Sequence, residues 1–163
     1  MTTAIQDSNA TAVGWDDGVL VLTRTFAAPR ERVFGAWTQP EHFARWFGPT
    51  ESTMPFLRMD ARPGGALHFQ HSHRDYEDVW VGGTFDEVTP PEHLAFTFWF
   101  SDADGARVER PGFPGQMTIT VSFDAVADGT RVTVRQAGLE RDQGEVQGWH
   151  EGLDRLAALL ARG

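Results

Sequence analysis

The sequence predicts an α+β fold in which a curved antiparallel sheet grips one long C-terminal helix. Three observations carry this. First, Val146, Trp149, Leu153, Leu156 and Leu160 recur at steps of three and four, which places them on one face of a helix over about residues 143–162. Second, the middle of the chain alternates apolar and polar residues between short turns, and short turns join antiparallel strands. Third, such a sheet must cover one face, and the C-terminal helix is the only long element available to do it.

The elements follow in order. Residues 1–14 are small and polar and are expected to be frayed, with one domain over 15–163. Gly18–Phe26 reads as a strand with Val19, Val21, Thr23 and Thr25 on one face and Leu20, Leu22, Arg24 and Phe26 on the other. Pro29 opens a short helix carrying Val33, Phe34 and Trp37. Pro40 opens a second carrying Phe43, Trp46 and Phe47, which Gly48-Pro49 ends. Arg62-Pro63-Gly64-Gly65 is a turn before the strand Ala66–His73. Tyr76–Val88 follows, with Gly82-Gly83 suggesting a bulge or bend. His93–Phe100 and Gln116–Ala125 are strands flanking a loop rich in Asp, Gly and Pro. Asp128-Gly129 signals a hairpin into Thr130–Gln136.

Composition narrows the function. With 163 residues and 40% hydrophobic content, the chain is long enough for a true core. It has no cysteine, hence no disulfide and no thiolate chemistry, and this fits a reducing, cytoplasmic setting. There is no signal-peptide pattern and no apolar run of membrane-spanning length. The formal charge of −9 argues against nucleic acid and against anionic membrane surfaces as partners. No P-loop, GxGxxG or GxSxG pattern supports nucleotide-dependent or serine-hydrolase chemistry.

Five segments, in order, resemble a known family. They are LTRTFAAPRERVFGAWTQPEHFARWFGP (Leu22–Pro49), RPGG (Arg62–Gly65), EVTPPEHLAFT (Glu87–Thr97), DGTRVTV (Asp128–Val134) and GWHEGLDRLAALL (Gly148–Leu160). Together they look like a bacterial member of the START-like helix-grip (SRPBCC) superfamily, similar to the group related to the activator of the heat-shock-protein-90 ATPase. Pattern and resemblance together give six or seven strands, with two short helices after the first. The resemblance implies a cavity between sheet and helix. It leaves the activity open, because members include ligand carriers, polyketide cyclases and stress-response proteins. The co-chaperone role belongs to longer eukaryotic proteins with an additional N-terminal domain, so a chaperone partner is not carried over.

Within that frame, Trp46, Phe69, His71, Trp80, Phe98, Phe100, Met117, Gln136, Trp149 and Leu153 are the expected ligand contacts: an apolar, aromatic lining with a few polar groups. Phe96 and Phe113 add to the interior aromatics. Trp99 should point away from Phe98 and offer a surface contact. His71-Ser72-His73-Arg74-Asp75-Tyr76-Glu77 is the best chemical constellation. Continued as a strand, it places His71, His73, Asp75 and Glu77 on the face of Leu67 and Phe69, with His68 opposite. His71 or His73 beside a carboxylate could serve as a general base. The plainer reading is a strand end turning at Arg74-Asp75. No metal and no cofactor is expected, since His-x-His alone is a weak ligand pattern. His150, Glu151 and Asp154 lie off the apolar stripe and read as a solvated face.

Gly144, Gly148 and Gly152 form a second stripe at steps of four. Each glycine inside a helix costs on the order of 1 kcal/mol relative to alanine, so they mark either close packing or a pocket. The pocket is the favoured expectation, with Gly152→Leu leaving stability nearly intact. Three functional classes stay open: binding of a small hydrophobic or aromatic molecule, with or without a regulatory role; a cyclase, dehydratase or hydrolase-like enzyme using a cavity histidine; and an interaction module that regulates a chaperone or other partner. A homodimer is left open.

Overall fold

Alternating apolar residues decide which face of the sheet turns inward. The computed structural model describes residues 10–139, 142 and 144–162. In chain order the elements are β1 (Ala12–Asp16), β2 (Val19–Phe26), α1 (Arg30–Thr38), α2 (Pro40–Trp46), β3 (Thr53–Met59), β4 (Ala66–His73), β5 (Tyr76–Thr89), β6 (His93–Ser101), β7 (Met117–Val126), β8 (Gly129–Ala137) and α3 (Glu145–Ala161). The strands form one antiparallel sheet in the order β1-β2-β8-β7-β6-β5-β4-β3. It has eight strands, where the sequence reading expected six or seven. The additional strands are the two edges. β1 begins at Ala12, inside the segment expected to be frayed, and pairs with β2 through Asp17 and Gly18, both at positive φ.

Register lines up the inner rows. Leu22, Val134, Val121 and Leu94 lie side by side across β2, β8, β7 and β6, all without solvent exposure. Burying such side chains supplies roughly 1.5–3 kcal/mol each. The three helices cover this face. Trp37 of α1 sits edge-on to Phe123 of β7 and stacks on Trp149 of α3, with ring centroids 6.2 and 6.1 Å apart. Trp46 donates its indole N–H to the Ala36 carbonyl at 2.8 Å, tying α2 to α1. Leu153, Leu156 and Leu160 seal the C-terminal half of α3 against the same core. Arg24, on the inner face of β2, reaches α3 and pairs with Asp154, so this exposed carboxylate belongs to a sheet–helix contact rather than a merely solvated face.

Gly82 and Gly83 do not make a bulge. The β5–β6 register shifts later, between Phe85 and Glu87. The two glycines permit close approach instead. A Cβ on Gly82 would stand 2.8 Å from the Trp99 indole nitrogen, and one on Gly83 would stand 2.5 Å from the Thr97 carbonyl oxygen. Trp99 therefore lies flat across the outer face, with the Arg107 guanidinium 4.1 Å from its ring centroid. The chain's own β6–β7 loop covers the expected surface contact. Phe113, expected inside, is in that loop, 37% exposed and edge-on to Phe100 at 5.5 Å.

Candidate functional site: a cavity under the C-terminal helix

Between α3 and the inner sheet face lies a cavity of about 210 Å³. The sheet contributes Phe69 and His71 from β4, Val79 and Val81 from β5, Phe98 and Phe100 from β6, Ile119 from β7 and Gln136 from β8. The end of α2 and the loop after it add Trp46, Phe47, Gly48 and Pro49. α3 closes the top with Glu145, Gly148, Trp149 and Gly152.

Seven expected contacts thus border the space: Trp46, Phe69, His71, Phe98, Phe100, Gln136 and Trp149. Three do not. Trp80 is on the outer face, because its neighbours Val79 and Val81 take the inner one, and it packs on His68 and Phe56 with ring centroids 5.3 and 5.6 Å away. Met117 is buried behind Gln136, whose amide N–H approaches its sulfur at 3.4 Å. Leu153 is fully packed in the core. The sequence reading missed Phe47, Val79, Val81 and Ile119. For the valines a signal existed: pairing β5 against Phe69 and His71 of β4 puts Val81 and Val79 directly opposite them.

The polar groups are few and each has a defined state. Trp149 donates its indole N–H to Gln136 Oε1 at 2.7 Å, joining helix to sheet in the buried interior. His71 Nε2 lies 2.8 Å from the Phe47 carbonyl oxygen. A carbonyl only accepts, so Nε2 carries the hydrogen, and the lone pair of the neutral ring is on Nδ1. The approach requires Gly48, whose Cβ would stand 2.7 Å from Nε2 and whose φ is +120°. Burial pushes the His71 pKa down from its ordinary 6.5, the Phe47 hydrogen bond opposes this, and the nearby Arg155 charge adds to it.

The rest of the expected constellation disperses. β4 ends at His73, and Arg74-Asp75 forms the turn into β5. His73 donates from Nε2 to the Thr50 carbonyl and accepts the Asp75 N–H at Nδ1, outside the cavity lining. Asp75 and Glu77 are exposed. Among the described residues, no three His, Cys, Asp or Glu side chains come together in a way that could hold a metal ion.

Phe47, Gly48 and Pro49 form one wall, and side chains from outside the Phe47–Ser52 loop fix its backbone. Arg155 of α3 donates to the carbonyls of Arg45, Gly48 and Pro49 at 2.9–3.1 Å and to Ser52 Oγ at 3.1 Å. Burial lowers its pKa from the ordinary arginine value. Glu151 accepts the Thr50 N–H at 2.8 Å. Its pKa is lowered first by the Gln147 side chain and then by this backbone bond. Arg155→Met keeps the aliphatic stem but strips these carbonyls of their donor. It should cost about 1.5–3 kcal/mol, as for hydrogen bonds to charged groups, read as a lowered urea midpoint.

His71 gives stability a pH dependence of known sign. Its pKa is lower folded than unfolded, so below the ordinary 6.5 the unfolded chain binds more protons. The contribution is complete above that value and is lost as pH falls through the folded one. Urea unfolding at about pH 7.5 and about pH 5.5 should therefore show a smaller pH loss in His71→Phe than in the parent.

The three glycines of α3 have three different reasons. Gly144 precedes the helix at φ +106°, a conformation that suits glycine. Gly148 faces open space, with nothing within 4 Å of the point a Cβ would occupy. Gly152 touches the cavity edge, but a Cβ there would point at the Gly48 backbone, 3.4 Å from its oxygen. Pocket and packing are both present, one turn apart. Gln143, where the sequence reading began the helix, lies outside the described residues.

An open antiparallel sheet closed by a C-terminal helix, with two short helices after β2 and a cavity between, defines a START-like helix-grip protein. The chain belongs to the family described as Activator of Hsp90 ATPase homolog 1-like protein, which matches it over residues 27–161. Solved structures agree. A protein from Chromobacterium violaceum is 29% identical, with 89% of this chain and 98% of that one covered and a TM-score of 0.77. One from Mycobacterium smegmatis is 24% identical, with 92% and 96% covered and a TM-score of 0.81. A protein from Silicibacter pomeroyi, itself called AHSA1, is 23% identical, with 88% and 98% covered and a TM-score of 0.75. The comparison with curated proteins gives no match. Among the described residues no helix is long and apolar enough to cross a membrane.

Proposed function

We propose that this protein binds a small hydrophobic or aromatic molecule in the cavity between α3 and the sheet, as a carrier or a ligand-responsive regulator. The observation that supports it is the cavity itself: about 210 Å³ walled mainly by Trp46, Phe47, Phe69, Phe98, Phe100 and Trp149. Such apolar space with a few convergent polar groups is the usual form of a small-molecule site. A cytoplasmic setting fits the absence of cysteine. Native mass spectrometry of freshly purified protein tests the reading by looking for a co-purified small molecule, beside titration with an apolar fluorescent probe. A retained molecule displaced by the probe supports binding. A bare chain that takes up no probe would move the assignment to a partner-regulating module.

One observation favours a second reading. His71 is a neutral, partly desolvated imidazole at the cavity wall, as a general acid or base in a cyclase or dehydratase would be. Its Nε2 partner is a backbone carbonyl rather than a carboxylate. A co-purified molecule recovered chemically altered by the parent and unaltered by His71→Phe would select this reading.

A further inference from the structure

We propose that the cavity's occupant is an uncharged aromatic compound of about two fused rings that presents a hydroxyl hydrogen to Nδ1 of His71. This rests on the ligand-binding reading above and specifies it. Size comes first. An apolar cavity of roughly 150 Å³ holds benzene, so about 210 Å³ has room for a second ring. Shape and chemistry follow from the walls, where the rings of Phe47, Trp149 and Phe69 line the space and suit a flat aromatic guest.

His71 decides the polar group. Its ring is fixed on one side by the Phe47 carbonyl, with Gly48 leaving room for that approach. The hydrogen is thereby held on Nε2, and Nδ1 is left as an acceptor with no hydrogen-bond partner among the described residues. A guest that covers this unpartnered acceptor takes water away from it, which favours a guest that donates. Gln136 stands on β8, four strands away in the sheet order, with its oxygen committed to Trp149. It does not compete for the same end of the guest.

Charge is the remaining filter. The nearest guanidinium, Arg155, spends its donors on the carbonyls of Arg45, Gly48 and Pro49 and on Ser52. A carboxylate guest would lose its hydration without gaining a cation. The occupant is therefore a phenol-type donor rather than an acid.

The test is isothermal titration calorimetry with three probes of one shape: 2-naphthol, 2-methylnaphthalene and 2-naphthoate. The parent should bind 2-naphthol on the order of tenfold more tightly than 2-methylnaphthalene, and 2-naphthoate more weakly than either. In His71→Phe the ratio of the first two should fall to about one. Should that variant fail to fold, the ¹⁵Nδ1 resonance of His71 in the parent serves instead. It should shift with 2-naphthol and stay in place with 2-methylnaphthalene. If the parent binds the hydrocarbon as well as the naphthol, or the naphthoate best, the proposal falls while the cavity reading stands. A naphthol preference that survives in His71→Phe also overturns it. Binding of none of the three would overturn both.

Discussion

Trp149→Ala should lower the stability of this protein by about 3–5 kcal/mol, within the range for removing a buried aromatic ring. The ring is 8% exposed, stacks on Trp37 and stands edge-on to Phe47 at 5.9 Å. Its loss also strands the Gln136 oxygen, and an unsatisfied buried acceptor costs about 1–3 kcal/mol by itself. Trp149→Phe separates the two contributions, since it keeps a ring and removes only the indole N–H. Chemical unfolding should place Trp149→Phe between the parent and Trp149→Ala. Equal losses in both variants would mean that the hydrogen bond, not the packing, anchors the helix.

Gly148→Leu and Gly152→Leu, one helical turn apart, should act in opposite directions. Gly152 has the Gly48 oxygen, the Gly48 nitrogen and the Trp46 oxygen at 3.4–3.7 Å from its Cβ position. A Cβ alone fits there at ordinary contact distance, but the Gly48 oxygen is held by Arg155, so the added bulk of a leucine presses on a fixed backbone. Overpacking of this kind costs about 1–3 kcal/mol. Gly148 meets nothing. Leucine there should leave stability unchanged or raise it by up to about 1 kcal/mol through helix propensity, while filling the cavity and abolishing probe uptake. Thermal unfolding and probe titration on the same two samples check both halves. Gly152 borders the cavity and also touches the Gly48 backbone at ordinary contact distance, so the Gly152→Leu measurement decides between room and packing at this position.

These contrasts show what the residues themselves could reveal. The apolar stripe of α3 and the alternation of Met117, Ile119, Val121 and Phe123 in β7 were legible because each pattern fits a single period. β3 was not. TMPFLRM carries Pro55 inside an edge strand, and the register slips between Thr53 and Phe56, which breaks the alternation a reader would count. β1 hid in a small, polar-looking terminus whose five residues are all exposed. In the site, His71 and Phe69 were placed by their strand phase. Trp80 was misplaced because Val79-Trp80-Val81 is apolar on both faces, so only pairing with β4 sets its direction. The Phe47–Ser52 loop was illegible for a different reason. Its contacts are backbone carbonyls, which no side-chain pattern records, met by donors as distant in sequence as Arg155.

The two halves of α3 rest on different ground. From Leu153 onward the helix is bolted to the core, whereas its first two turns, around Gly148, border the cavity and are held through Trp149, which bonds Gln136 and packs on Trp37 and Phe47, and through Glu151, which accepts the Thr50 N–H. Asp142 Oδ1, receiving the N–H groups of Gly144 and Val146, is the clasp at the open end. Such a helix should unzip from its N-terminus. Amide hydrogens of the first two turns should exchange with solvent faster than those of residues 156–160, and guest binding should slow the former alone. Under the proposed ligand-binding function, the same turns that roof the cavity would serve as its entrance.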